Sequence, residues 1–213
     1  MTRYMIIKTL LKKFYPEDIL IFTGNGMSSE AFNFDSDNMF YFLDNFGLSV
    51  AFALGVAMCT KNRVFVFVGE GDLLRETGVL AQVAASGCKN MFIILLRNDS
   101  YQEVNSYPNI FGNISNARGL FSDLGLLMFD YSAMFKDKRP LEHIKDNIDR
   151  LVGPAIVIIE SDKSNKKYLK ELNISNGDLG NRLELFLKKE LESKLYKPPE
   201  LDMDLLGGIT NGV

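Results

Sequence analysis

Two uninterrupted apolar runs, "RVFVFV" at 63–68 and "MFIILL" at 91–96, constrain the fold of this chain more than any other feature. Each has the length of a strand, and neither alternates polar with apolar residues. A strand of that kind must be covered on both faces, which is the pattern of a parallel sheet flanked by helices. Parallel neighbours need a crossover between them, and residues 73–86 read as a helix of about four turns.

The rest of the chain repeats the alternation. Ile6, Ile7, Leu10, Leu11 and Phe14 recur at helical spacing and predict an amphipathic helix ending before Pro16. "DILIFTG" at 18–24 and "MFYFL" at 39–43 read as strands. "LSVAFALGVAM" at 48–58 reads as a helix whose small residues let it lie close to a sheet. Further along, "RGLFSDLG" suggests a short helix and "LMFDYS" a strand. "RPLEHIKDNIDRLV" suggests a helix from Pro140, and "PAIVIIE" the last core strand. The expected fold class is therefore α/β, an open, mostly parallel sheet with helices on both faces and right-handed crossovers. Residues 1–162 form the expected main domain. Residues 163–213 are rich in lysine and glutamate, with one amphipathic helix in "NRLELFLKKELESKL" and an extended or disordered tail, and belong to the same domain or hang from it.

At 213 residues, with 46% hydrophobic and 24% charged, the chain is long enough for one substantial core. A formal charge of −3 gives no basic field for nucleic acid or an anionic membrane, and neither is an expected partner. No segment approaches the roughly 20 apolar residues of a membrane span. Cys59 and Cys88 are isolated, so neither a metal-binding CxxC nor a disulfide framework is indicated, and a reducing, cytoplasmic setting is expected.

In open α/β sheets ligands bind beyond the carboxyl ends of the strands, and here two of those ends carry polar breaks. "RVFVFV" runs into Gly69-Glu70-Gly71-Asp72, and "MFIILL" runs through Arg97 into Asn98-Asp99-Ser100. Glycines let a backbone approach an anion, and a helix N-terminus offers free N–H groups to phosphate. A carboxylate in the same place repels phosphate unless a cation lies between them. Magnesium, which takes hard oxygen ligands, suits Glu70 together with the amide oxygen of Asn98. The structural alternatives are Asp72 as an N-cap and Asn98-Asp99-Ser100 as an ordinary turn. After Asn98 a long polar segment with Tyr101, Tyr107, Pro108, Asn109 and Asn113 is a candidate functional loop, in which Tyr101 and Tyr107 either contact ligand or simply pack. His143 reads as a surface residue, Lys166 and Lys167 as a solvated charge run. Glu30 reads as the start of a short helix near the site.

The spacing from Gly69-Glu70-Gly71 to Asn98 resembles the signature of the diphosphate-binding domain of thiamine-diphosphate-dependent enzymes, in particular the phosphonopyruvate and sulfopyruvate decarboxylases. "LDNFGLSVAFALGVAM", "IFTGNGMSSEAF", "GVLAQVAASG" and "GPAIVIIE" resemble further segments of that group, which extends the likeness over about 18–160. The resemblance implies a thiamine-diphosphate-binding fold that holds thiamine diphosphate and Mg²⁺. It implies Glu70 and Asn98 as side-chain metal ligands and Ser100 as a main-chain carbonyl ligand. It further implies that Gly69, Gly71 and Asp72 meet the diphosphate, that Phe46 props the bent cofactor, and that Asn45 and Gly47 line the same pocket, with Tyr101 a further contact. Glu70 stands where the family has Asp, Asp72 where it has a small residue, Asp44 where it has Gly, Phe46 where it has an aliphatic residue, and Arg97 where an acidic residue is frequent.

A glutamate that activates the cofactor comes, in such enzymes, from a separate pyrimidine-binding domain for which this chain has no room. The implied protein is thus one subunit of a split 2-oxo acid decarboxylase, a homodimer within a hetero-oligomer whose active site is completed by a pyrimidine-domain subunit. The alternatives are a carboligase subunit of the acetolactate synthase type and a diverged, non-catalytic structural or regulatory subunit.

Overall fold

The computed structural model describes residues 1–43, 47–101, 107–109, 111, 117–131, 144, 147–162 and 168–193. Six strands, β1 (Ile19–Thr23), β2 (Met39–Phe42), β3 (Val64–Gly69), β4 (Met91–Arg97), β7 (Leu127–Asp130) and β8 (Ala155–Glu160), form one sheet in the order β2-β1-β3-β4-β8-β7, with every pairing parallel. A second, two-stranded sheet pairs β5 (Ser100–Tyr101) antiparallel with β6 (Tyr107–Pro108). Part of the long polar segment expected as a loop is therefore a hairpin.

The central strands are buried along their length on both faces, as their unbroken apolar sequence requires. Their two faces differ in kind. One carries Phe22, Phe65, Phe67 and Phe92, stacked in pairs at 4.6 Å (Phe22–Phe67) and 4.8 Å (Phe65–Phe92), under helices α1 (Arg3–Leu10) and α2 (Asn25–Ala31). The other carries Val64, Val66, Val68, Ile93 and Ile156 under α3 (Ser49–Cys59) and α5 (Thr77–Ser86). Ala53 and Ala57 on the inner side of α3 match that smaller-residue surface. Two further helices are the short α6 (Ala117–Asp123) and α7 (Asn176–Ser193). α7 lies beside the outer strand β2, where Arg182 donates to Asp35 Oδ1 at 2.7 Å and to Met39 O at 3.1 Å.

Three elements depart from the sequence reading. The opening helix stops at Leu10 instead of running to Phe14, because Phe14 folds back onto Phe65 at 4.6 Å. The helix expected at 73–86 is two helices, α4 (Glu70–Arg75) and α5, broken at Glu76. Glu30 does not start a helix: it lies near the end of α2, fully buried, with Oε2 accepting from Arg3 Nε at 2.7 Å. His143, Lys166, Lys167 and the tail from 194 lie outside the described residues, and of the helix expected from Pro140 the described residues are Ile144 and 147–152, with a short 3₁₀ turn at Ile148–Arg150.

Candidate active site at the carboxyl ends of β3 and β4

Because the sheet is parallel throughout, all six strands end at the same edge. The chain steps from β1 outward to β2 and then returns to place β3 on the other side of β1, so the strand order reverses between β1 and β3. Such a switch point opens a crevice at the carboxyl ends, the usual ligand position in open α/β sheets. Thr23 at the end of β1 spans it, its hydroxyl donating to Asp72 Oδ2 at 2.9 Å. Asp72 is thus the third residue of α4 with its side chain turned toward β1. The N-cap position of that helix is Gly69, which excludes the capping role open to Asp72 in the sequence.

β3 and β4 are direct neighbours with Gly69 in register with Leu96, so the two polar breaks sit side by side. Glu70, the first residue of α4, is 2% exposed. Its Oε2 accepts the Asn98 N–H at 2.8 Å and the Asn109 side-chain amide at 3.0 Å. Among the described residues its Oε1 is buried with no hydrogen-bond partner, and the nearest cation there, Arg97 Nε, stands 3.8 Å away, too far for a hydrogen bond. Burial pushes the Glu70 carboxyl above its usual range, helped by the nearby Asp99 charge and opposed by the Asn98 N–H, the Asn109 amide and the Asp99 backbone.

Asn98 is fixed in turn. Asp99 takes a left-handed backbone, φ 55°, and bends the chain so that Asn98 Oδ1 accepts the Ser100 N–H at 3.0 Å and the Ser100 hydroxyl at 3.1 Å. The hairpin after it returns Asn109 to Glu70, with Asn109 5% exposed and its Oδ1 accepting the Phe111 N–H at 2.8 Å. Tyr101 closes over Gly71: a Cβ at Gly71 would lie 3.0 Å from the tyrosine ring, so only glycine fits without moving it. Gly69 has open space on its Cβ side.

The structure therefore brings together Gly69, Glu70, Gly71, Asp72, Asn98, Ser100 and Tyr101. Gly47, with φ 85°, meets the end of α4, its Cβ direction 3.1 Å from Arg75 Cβ. Asn45 and Phe46 lie outside the described residues. Two participants escaped the sequence reading. Asn109 was visible only as one polar residue of a long loop. Glu76 read as an ordinary helix position, yet it is 1% exposed and accepts from Ser49 Oγ at 2.8 Å, Val50 N at 2.7 Å and Ala51 N at 3.2 Å.

A buried carboxylate oxygen lacking a donor is costly unless something positive meets it. It lies at the strand-end junction with Asn98, whose Oδ1 is turned to Ser100, and carboxylate, amide and carbonyl oxygens are the hard donors that Mg²⁺ takes. Among the described residues no cluster of three or more His, Cys, Asp and Glu side chains is assembled.

Comparison with known proteins agrees with this architecture. Over 129 residues the chain is 30% identical to the sulfopyruvate decarboxylase subunit beta of Methanococcus maripaludis, a match spanning 57% of this chain and 69% of that subunit. It is 33% identical over 98 residues to the phosphonopyruvate decarboxylase of Streptomyces hygroscopicus, covering 46% of this chain and 24% of that enzyme. The 2-oxoglutarate:ferredoxin oxidoreductase from Magnetococcus marinus shares the fold, with a TM-score of 0.58 at 17% identity over 99% of this chain and 90% of that chain. The family profile of the thiamine pyrophosphate enzyme C-terminal TPP-binding domain matches residues 25–157, and the chain belongs to that family.

Proposed function

We propose that this chain is the diphosphate- and metal-holding subunit of a split thiamine-diphosphate-dependent 2-oxo acid decarboxylase. The observation that carries the reading is the buried, unpartnered Oε1 of Glu70 at the junction of two neighbouring strand ends. In this account Glu70, Asn98 and Ser100 hold Mg²⁺, through carboxylate, side-chain amide and main-chain carbonyl oxygens. The backbone at Gly69, Gly71 and Asp72 meets the diphosphate, while Asn45, Phe46, Gly47 and Tyr101 wall the pocket. When bound, the cofactor supplies the electron sink needed for loss of carbon dioxide from a 2-oxo acid. The chain's own residues fix the metal, hold the diphosphate at the switch-point crevice and keep the Tyr101 side of the pocket dry.

The activating glutamate is supplied by a separate pyrimidine-domain subunit, and two copies of this chain pair with that partner in a cytoplasmic hetero-oligomer. The subunit naming of the Methanococcus relative supports a two-chain enzyme, and both relatives point to a 3-substituted pyruvate bearing sulfonate or phosphonate. Incubating the complex of both chains with Mg²⁺, thiamine diphosphate and such a 2-oxo acid yields carbon dioxide and the aldehyde, trapped as its hydrazone. A carbon–carbon coupled product identifies a carboligase instead.

One observation favours a second reading, a subunit that keeps the fold without the metal. Arg97 already places a guanidinium near Glu70 Oε1, although its shorter bond, 2.9 Å, is to Asp99. The two readings part on Arg97→Ala, which leaves Mg²⁺ binding intact or tighter in the first and produces no Mg²⁺ binding in the second.

A further inference from the structure

We propose that Glu76 is a positioning residue of the cofactor pocket, a statement that rests on the reading above and extends it. Helix α3 begins immediately after the 45–47 segment assigned to the pocket wall. Its first turn has orphan N–H groups that a local Ser, Thr, Asp or Asn would ordinarily satisfy, but Leu48 stands at the N-cap and offers no side-chain acceptor. The acceptor comes from elsewhere. The Glu76 carboxylate, buried to 1% exposure, takes the Val50 and Ala51 N–H groups on one oxygen and the Ser49 hydroxyl on the other.

Glu76 lies six residues after Glu70, at the break between α4 and α5, so the cap of α3 belongs to the element that carries the metal carboxylate. The break is what lets the side chain reach, since its backbone (φ −98°, ψ 16°) leaves the helical path. Gly47 confirms how closely the two elements meet, its Cβ direction ending 3.1 Å from Arg75 Cβ. One carboxylate thus ties the start of α3 to the metal-bearing helix before any ligand arrives. It also consumes the anion-attracting N–H groups of α3, which leaves the cofactor diphosphate to the backbone at 69–72.

The test uses the full chain, alone and in complex with its partner. Glu76→Ala removes the clamp. Glu76→Gln keeps its shape, with its oxygen facing Val50 and Ala51 and its amide donating to Ser49, while removing the charge. In hydrogen exchange without cofactor, E76A exchanges residues 47–52 faster than wild type while β1, β3 and β4 keep wild-type protection, and E76Q falls between. In titrations at saturating Mg²⁺, thiamine diphosphate binds E76A about 10–100-fold more weakly, with a smaller loss in E76Q. Unchanged exchange at 47–52, or wild-type cofactor affinity in E76A, overturns the proposal. If E76A does not fold, E76Q decides by the same two readouts. Failure of the wild-type complex to bind the cofactor at all overturns the underlying functional reading, and the cofactor-free exchange result still decides whether Glu76 holds the segment.

Discussion

Glu30 and Glu70 are both buried carboxylates with one oxygen lacking a hydrogen-bond donor, and their surroundings separate a structural from a functional role. Glu30 has a close cation, Arg3 at 2.7 Å, where α1 meets α2. Its partner is a stability element: Arg3→Met leaves the charge uncompensated and costs about 3–5 kcal/mol in urea unfolding. Glu70 has its nearest cation among the described residues at 3.8 Å and lies at the switch-point edge of the sheet. At Gly71 the neighbour is a tyrosine ring, so Gly71→Ala pushes Tyr101 aside and weakens cofactor binding more than it lowers the melting temperature. Glu70 and Asn98 were legible in the sequence because each follows directly on an unmistakable strand. Asn109, Glu76 and the Thr23–Asp72 contact were not, because their partners lie 25 to 49 residues away in the chain and only the folded topology joins them.

At the scale of elements, strands buried on two faces announced themselves, and all of the expected core strands form. The break in the 73–86 helix falls at Glu76, just before the weak helix formers Thr77 and Gly78, a local hint that the apolar periodicity overrode, and the interruption serves a tertiary hydrogen bond. Entry to β8 is as tightly fixed: a Cβ at Gly153 would lie 2.4 Å from Met91 O and 3.0 Å from Cys88 O, backbone atoms that cannot yield. Gly153→Ala therefore destabilises by about 1–3 kcal/mol or more, measured by chemical denaturation. The start of α7 is a capping box, in which Ser175 Oγ accepts the Asp178 N–H at 3.1 Å and donates to Asp178 Oδ2 at 2.6 Å. That hydrogen bond holds the Asp178 carboxyl below its ordinary value of 3.8. A depressed carboxyl stabilises the folded form above the unfolded value and loses that contribution as pH falls through the folded one. Amide exchange at the head of α7, corrected for intrinsic rates, thus accelerates below about pH 4, and Asp178→Asn removes that dependence.

For the whole molecule, the class of fold followed from the alternation of elements, whereas the order of strands did not. Nothing local in "LMFDYS" or "PAIVIIE" states that β8 inserts between β4 and the later-paired edge strand β7, a matter of which apolar surfaces fit together. The order matters for the candidate site because it sets the β1/β3 crevice beside the β3/β4 junction and so gathers the backbone at 69–72 and the Glu70 carboxylate at one edge. Among the described residues no helix is long and apolar enough to cross a membrane. The central claim is that this edge binds thiamine diphosphate through a divalent cation held by Glu70 and Asn98. Calorimetric titration of the complex of this chain with the proposed pyrimidine-domain subunit tests it most directly. The account predicts binding that requires Mg²⁺ and disappears in Glu70→Ala and Asn98→Ala. Binding that persists in EDTA, or that is untouched by both substitutions, contradicts it.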